Sequence, residues 1–203
     1  MRLEQAGPVA GVVLAAGSSL RMGRDKLFLE LEGETVLRRV VSRAIAGGLD
    51  PVVVVLGVES DAARHDLSGL EFRAVANLES ERGMNHSVGL GIGAVPDAAS
   101  AAVVLLADMP LVTAEMIESL VSRYRDSSAR LIVSRYGKVT APPMLHDRSL
   151  FPEFVGPDGD GRGREILHRY RDEAVFVDWP EYVLSDIDVP GDYESVRAHL
   201  GSG

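Results

Sequence analysis

Two cations follow a hydrophobic run near the start of the chain. Val12-Val13-Leu14 leads into Ala15-Ala16-Gly17-Ser18-Ser19, and Arg21 and Lys26 come next, on either side of Gly23. Small residues without bulky side chains let backbone N–H groups approach an anion closely, and Gly17 can take positive φ. Arg21 contributes a bidentate fork and Lys26 a compact point charge, both suited to phosphate oxygens. A polyphosphate is the natural ligand of such a turn; an ordinary strand-to-helix turn with two solvated cations is the plainer alternative. Far downstream, Val103-Val104-Leu105-Leu106-Ala107 ends at Asp108, with Pro110 turning the chain away. A carboxylate facing phosphates needs a cation between them, and Mg²⁺ takes one or two carboxylates together with phosphate oxygens. A third segment, Leu184-Ser185-Asp186-Ile187-Asp188-Val189-Pro190, is expected to place Asp186 and Asp188 on one face if extended. Either can supply a second metal ligand, and Asp188 can also cap a helix opened by Pro190.

Two familiar phosphate-binding patterns are excluded. A Walker A loop has four residues between its glycines and then Gly-Lys-Ser/Thr; here five residues separate Gly17 from Gly23, and Leu27 follows Lys26. The dinucleotide fingerprint G-x-G-x-x-G is missing after this strand, and Gly89-x-Gly91-x-Gly93 falls within a helical stretch. The run Gly159-Asp160-Gly161-Arg162 is not a calcium loop, because Arg162 stands where an oxygen ligand belongs.

The elements that must position these residues follow from hydrophobic patterning. Val-rich runs of strand length occur at Val9–Leu14, Val52–Leu56, Phe72–Val75, Ala102–Ala107 and Leu131–Val133. Several are continuous rather than alternating, as expected of strands buried on both faces. Between them, Thr35–Ala46, Asp61–Leu67, His86–Ala94 and Ala114–Tyr124 have helical patterning. In the first of these, Val36, Val40, Val41 and Ala44 form the apolar face, with Arg38, Arg39 and Arg43 largely off it. Gly47-Gly48 is expected to stop that helix, and Thr113 to cap the last one. The later third is less regular. Pro142-Pro143 and the glycine-rich stretch 156–161 read as loops, around a short helix Gly163–Tyr170, strand-like Ala174–Val177 and Tyr182–Ile187, and a closing helix Pro190–Leu200. The βαβα alternation predicts a single α/β domain, residues 1–203, with a mostly parallel central sheet and helices on both faces. Ligands of such sheets bind outside the carboxyl ends of the strands, where the Arg21/Lys26 turn and Asp108 both belong.

Composition narrows the partners. With 21 Lys plus Arg against 30 Asp plus Glu, the net charge is −9, which argues against nucleic acid and anionic membranes. The chain has no cysteine, which excludes disulfides, Cys-ligated metal and thiol nucleophiles. No apolar run approaches the roughly 20 residues of a membrane span, and the first residues do not read as a secretory signal, so cytoplasmic residence is expected.

In their order and separation, LAAGSSLRMGRDK, LLADMPLV and SDIDVPGDYE resemble the MobA/MocA-like nucleotidyltransferases, which join a nucleotide to molybdopterin. The resemblance runs from Gly11 to about Tyr193. It implies a Rossmann-like nucleotidyltransferase fold of the nucleotide-diphospho-sugar transferase type. In that scheme residues of about 9–110 bind the nucleotide and those of about 111–200 the acceptor. It further implies that Leu14, Ala15, Ala16, Gly17, Ser18 and Ser87 contact the nucleotide. Arg21 and Lys26 would stabilise the triphosphate and the departing pyrophosphate. Asp108 and Asp188 would hold Mg²⁺, with Asp186 in reserve. Guanylyl-transferring relatives typically read LAGG and then RMGG-x-DK. Here Ala15-Ala16-Gly17 and the shorter Arg21-to-Lys26 interval look like the cytidylyltransferase version, so CTP is expected ahead of GTP, with molybdopterin as acceptor (another small phosphorylated acceptor being the alternative) and a molybdoenzyme or its maturation chaperone as downstream partner. A nucleotide- or pterin-binding maturation factor without turnover is the non-enzymatic alternative. The sequence departs from the family at Asn85 and His86 (the family usually has Gly-Met-Ser-Ser-Ser) and at Pro142, both near the expected acceptor side, and at Arg162.

Overall fold

In a computed structural model, which describes residues 7–17, 26–57, 60–155, 162–185 and 190–200, seven strands form one sheet. In chain order the elements are β1 (Val9–Ala15), a small antiparallel pair β2 (Glu30–Leu31) and β3 (Glu34–Thr35), α1 (Val36–Ala46), β4 (Val52–Leu56), α2 (Ser60–Asp66) and β5 (Arg73–Ala76). They continue with α3 (Met84–Gly93), β6 (Ala101–Leu106), α4 (Ala114–Asp126), β7 (Leu131–Tyr136), β8 (Val139–Asp147) and α5 (Pro152–Val155). The last three are α6 (Arg162–Arg169), β9 (Val175–Trp179) and α7 (Pro190–Leu200). The sheet order is β5-β4-β1-β6-β8-β7-β9, and β8 alone runs against its neighbours. The expected mostly parallel α/β architecture is present.

β1 lies inside the sheet between β4 and β6, and every one of its residues is buried. Strand alternation sends Val9, Val13 and Ala15 into one core layer, packed with α1, α4 and Val196 of α7. Ala10, Val12, Leu14 and Ala16 enter the other, with Val88 and Ile92 of α3, Phe154 of α5 and Ile166 of α6. Burial on both faces explains the continuous valine runs. α3 lies close on β1 because residue 91 is glycine. A Cβ there would stand 2.3 Å from Val12 Cγ1, so the Gly-x-Gly-x-Gly run serves packing, not phosphate binding. Thr35 and Thr113 cap α1 and α4, accepting from the N–H groups of Arg38 and Met116.

Two readings of the later third are corrected. Pro142-Pro143 is not in a loop but within β8. Pairing of β8 with β6 stops at Val104–Met144, and pairing with β7 is irregular between Val133 and Arg135, so neither proline has to donate a ladder hydrogen bond. The Ser134 hydroxyl donates to the Pro143 carbonyl (2.6 Å) and the Tyr136 hydroxyl to that of Pro142 (2.9 Å). Tyr182–Ile187 does not begin as a strand. Residues Glu181–Leu184 form a 3₁₀ turn that buries Val183, because Pro180 lacks the N–H needed to extend β9. Among the described residues, no helix is long and apolar enough to cross a membrane.

Candidate functional site

β1 and β6 are adjacent and parallel, with Leu14 beside Leu106, and the N–H of Ala107 donates to the carbonyl of Leu14 (3.1 Å). The chain therefore leaves both strands at one level. Ala16 and Gly17 emerge from the first and Asp108 from the second, on the carboxyl side of the sheet. They border a pocket of about 160 Å³, whose sheet wall is completed by Leu14 and Leu106. The facing wall is the start of α3 and the turn before it: Ser80, Gly83, Met84 and Ser87. Ala15 is buried in the opposite core layer, so only its backbone is near the pocket.

Lys26 opens a 3₁₀ turn anchored by the buried Leu27. Its Nζ lies 2.7 Å from Asp108 Oδ2, and both side chains are mostly shielded from solvent. The other carboxylate oxygen, Oδ1, has no hydrogen-bond partner among the described residues. The turn after Asp108 is braced from α1. The Arg39 guanidinium, buried rather than on the solvent side, donates through Nε to the Pro110 carbonyl (3.3 Å) and through Nη1 to Glu32 (3.2 Å). Arg39 lies three residues after Val36, on the flank of the apolar face, a position that spacing alone does not distinguish from a solvent-facing one.

Ser87 is buried in the second turn of α3 and accepts a 2.9 Å hydrogen bond from the Asn77 side-chain amide. Asn77 is fully buried just past β5, and nothing in the local pattern marks it as a site residue. α3 begins at Gly83, whose φ of +92° and ψ of 178° lie in a region that side-chain-bearing residues avoid. His86 lies 3.6 Å from Glu79 Oε2. Asn85 faces the start of α6, where a Cβ on Gly163 would lie 3.5 Å from its Oδ1. Asn85, one departure from the family pattern, is thus a spatial neighbour of Gly163, the residue that follows the departure at Arg162.

Of the residues singled out from sequence, Leu14, Ala16, Gly17, Ser87 and Asp108 line one pocket, and Lys26 joins it through Asp108. Ser18, Arg21, Asp186 and Asp188 lie outside the described residues. Among the described residues no group of three His, Cys, Asp or Glu side chains could hold a metal. One carboxylate with a free oxygen, beside a small-residue turn and a cation, is a donor set for a divalent ion that takes its remaining ligands from phosphates and water.

A family model described as MobA-like NTP transferase domain matches residues 11–174. Over 92% of this chain and 95% of its own length, the purine catabolism protein PucB of Bacillus subtilis (strain 168) is 32% identical. The crystal structure of Rv0371c from Mycobacterium tuberculosis H37Rv superposes with a TM-score of 0.79 at 26% identity, covering 94% of this chain and 98% of that one. Rv0371c has also been solved in complex with manganese (TM-score 0.75, 25% identity, 95% of this chain and 99% of that one). Molybdopterin-guanine dinucleotide biosynthesis protein A from Archaeoglobus fulgidus shares the fold, with a TM-score of 0.69 at 18% identity over 96% of this chain and all of that one.

Proposed function

The chain belongs to the MobA-like NTP transferase domain family, and from that premise we propose that it transfers CMP from CTP to the terminal phosphate of molybdopterin, releasing pyrophosphate. An oxygen of the acceptor phosphate attacks the α-phosphorus in line. The bond from that phosphorus to the bridging oxygen breaks, and the electron pair leaves with pyrophosphate. No protein nucleophile takes part, and catalysis is positioning plus charge stabilisation. The observation that carries this reading is the convergence of Lys26 and Asp108, 2.7 Å apart, beside the small-residue end of β1.

In this scheme the backbone of Ala15–Gly17, with Leu14, Ser18 and Ser87, holds the nucleotide. Lys26 and Arg21 neutralise charge on the β- and γ-phosphates and on the leaving group. Asp108 fits a hard cation through its free oxygen; Asp188 would be the second ligand and Asp186 its substitute. When bound, Mg²⁺ supplies Lewis-acid polarisation of the α-phosphate. The manganese complex of Rv0371c supports a divalent ion in this family. Residues of about 9–110 serve the nucleotide and those of about 111–200 the acceptor. We place the reaction in the cytoplasm, with a molybdoenzyme or its maturation chaperone as recipient of the product.

Guanylyl transfer is the second reading, favoured by the name of the Archaeoglobus fulgidus protein. Against it, Ala16 lines the pocket where a glycine would leave more room for a purine. Pyrophosphate release measured with CTP or GTP, with and without molybdopterin, tests both. Release that needs CTP and molybdopterin together is expected. Release with GTP alone moves the assignment to guanylyl transfer. Nucleotide binding without release under any combination overturns molybdopterin as the acceptor, in favour of another small phosphorylated acceptor or of a binding factor without turnover.

A further inference from the structure

Asn77 makes three hydrogen bonds that leave it one orientation. Its backbone N–H donates to the Leu56 carbonyl (2.7 Å), and its Oδ1 accepts from the Glu79 N–H (2.9 Å). With the oxygen committed to a backbone donor, the NH₂ group faces Ser87, and flipping the amide would set that NH₂ against the Glu79 N–H, donor against donor. The Ser87 oxygen therefore acts as acceptor toward Asn77 (2.9 Å), and its own proton must point elsewhere. Among the described residues no acceptor takes that proton. Ser87 is only 7% exposed, and it lines the pocket together with Leu14, Leu106 and Met84. A buried hydroxyl with an unspent donor is costly unless something arriving in the pocket accepts from it. The start of α3 adds to the demand, since Gly83 offers its first turn no side-chain acceptor.

We propose that Asn77 is a positioning residue that fixes Ser87 as a hydrogen-bond donor to an oxygen acceptor of the bound nucleotide. The inference rests on the pocket being a nucleotide site, and not on the choice of CTP or of molybdopterin. The acceptor is a phosphate oxygen or a carbonyl of the base, two sources of one chemistry.

Calorimetric titration of the full chain with CTP, GTP and inorganic tripolyphosphate tests it, using wild type, Ser87→Ala, Asn77→Ala and the double variant. Ser87→Ala should weaken nucleotide binding about tenfold, as expected for a lost hydrogen bond to a partly charged acceptor. Asn77→Ala should weaken it comparably, and the double variant should bind within about twofold of Ser87→Ala alone. A loss shared by tripolyphosphate places the oxygen on the phosphate chain; a loss confined to the nucleotides places it on the base. Multiplicative losses in the double variant mean that Asn77 acts only through general stability, and overturn its role. Should Asn77→Ala not fold, Ser87→Ala decides: unchanged affinity for both nucleotides overturns the proposal, and a fall supports it. If wild type binds GTP and not CTP, the cytidylyl reading fails while the Ser87 comparison is still made on GTP.

Discussion

Lys26 and Asp108 are joined by a 2.7 Å ion pair across 82 residues of chain. The pair links the loop leaving β1 to the loop leaving β6, at the level where both strands end. As a stabilising contact its net value is small: both side chains are mostly shielded from solvent, so their loss of hydration offsets much of the attraction between the charges. Asp108→Ala and Lys26→Met should therefore both fold, with small changes in thermal midpoint. Their effect belongs on turnover. Asp108→Ala is expected to keep less than a tenth of the pyrophosphate-release rate, and Lys26→Met to lose about a hundredfold, the scale for removing one charge-stabilising group. A rate above one tenth in Asp108→Ala removes that residue from the metal site.

Gly83 sets the angle at which α3 enters the pocket wall, and its φ of +92° is a backbone requirement rather than a steric one. A Cβ there would meet no atom within 4 Å, so Gly83→Ala costs conformational energy of about 1–2 kcal/mol. Gly93 at the other end of α3 is the control, with only Val155 at 3.9 Å from its Cβ position and no positive φ. Gly93→Ala should be neutral or gain up to about 1 kcal/mol from helix propensity. Urea denaturation of the two variants should separate them in opposite directions, and nucleotide affinity should fall only in Gly83→Ala.

How much of this was legible in the sequence differs by element. Val52–Leu56 is named with its observed bounds, and β1 to within a residue, because strands buried on both faces show as unbroken valine runs. Their parallel order then puts Lys26 and Asp108 at one end of the sheet. β8 was hidden because the Pro142-Pro143 pair breaks the pattern; only the irregular pairing beside Ser134 makes room for it. Arg39 reads as a solvent charge until the turn at Pro110 is seen to need a donor. Asn77 is a single polar residue after a short edge strand, and its importance exists only once α3 brings Ser87 against it. Hydrogen-bond partners set by tertiary packing leave no periodic trace.

Ala16 is the residue on which nucleotide preference turns in the cytidylyl reading. It is buried and lines the pocket beside Gly17. One methyl in a closed pocket discriminates by about tenfold. Ala16→Gly should raise kcat/KM for GTP relative to CTP by about that factor, with little loss of stability because the residue sits just beyond β1. Competition kinetics with both nucleotides in one reaction measure the ratio directly. An unchanged ratio takes Ala16 out of base selection.

His146 gives the fold a pH dependence of known sign. It lies within β8 opposite Ala102 and Leu131, its ring edge-on to Phe154 with centroids 4.9 Å apart. Its Nδ1 is buried with no hydrogen-bond partner among the described residues. Burial lowers its pKa to about 4, below the ordinary value of 6.5. The native state thus holds His146 neutral at pH values where the unfolded chain already binds a proton. Its contribution to stability is complete above about pH 6.5 and is lost progressively as pH falls towards 4, by about 3 kcal/mol at the lower limit. Carboxylates titrate over part of the same range, so the informative quantity is the difference between wild type and His146→Leu, which keeps an apolar side chain of similar size and removes the proton site. Urea denaturation at pH 7, 6, 5 and 4 should show the variant gaining on wild type at each step down. Parallel losses in the two proteins would mean that His146 takes up its proton without disturbing the packing around Phe154.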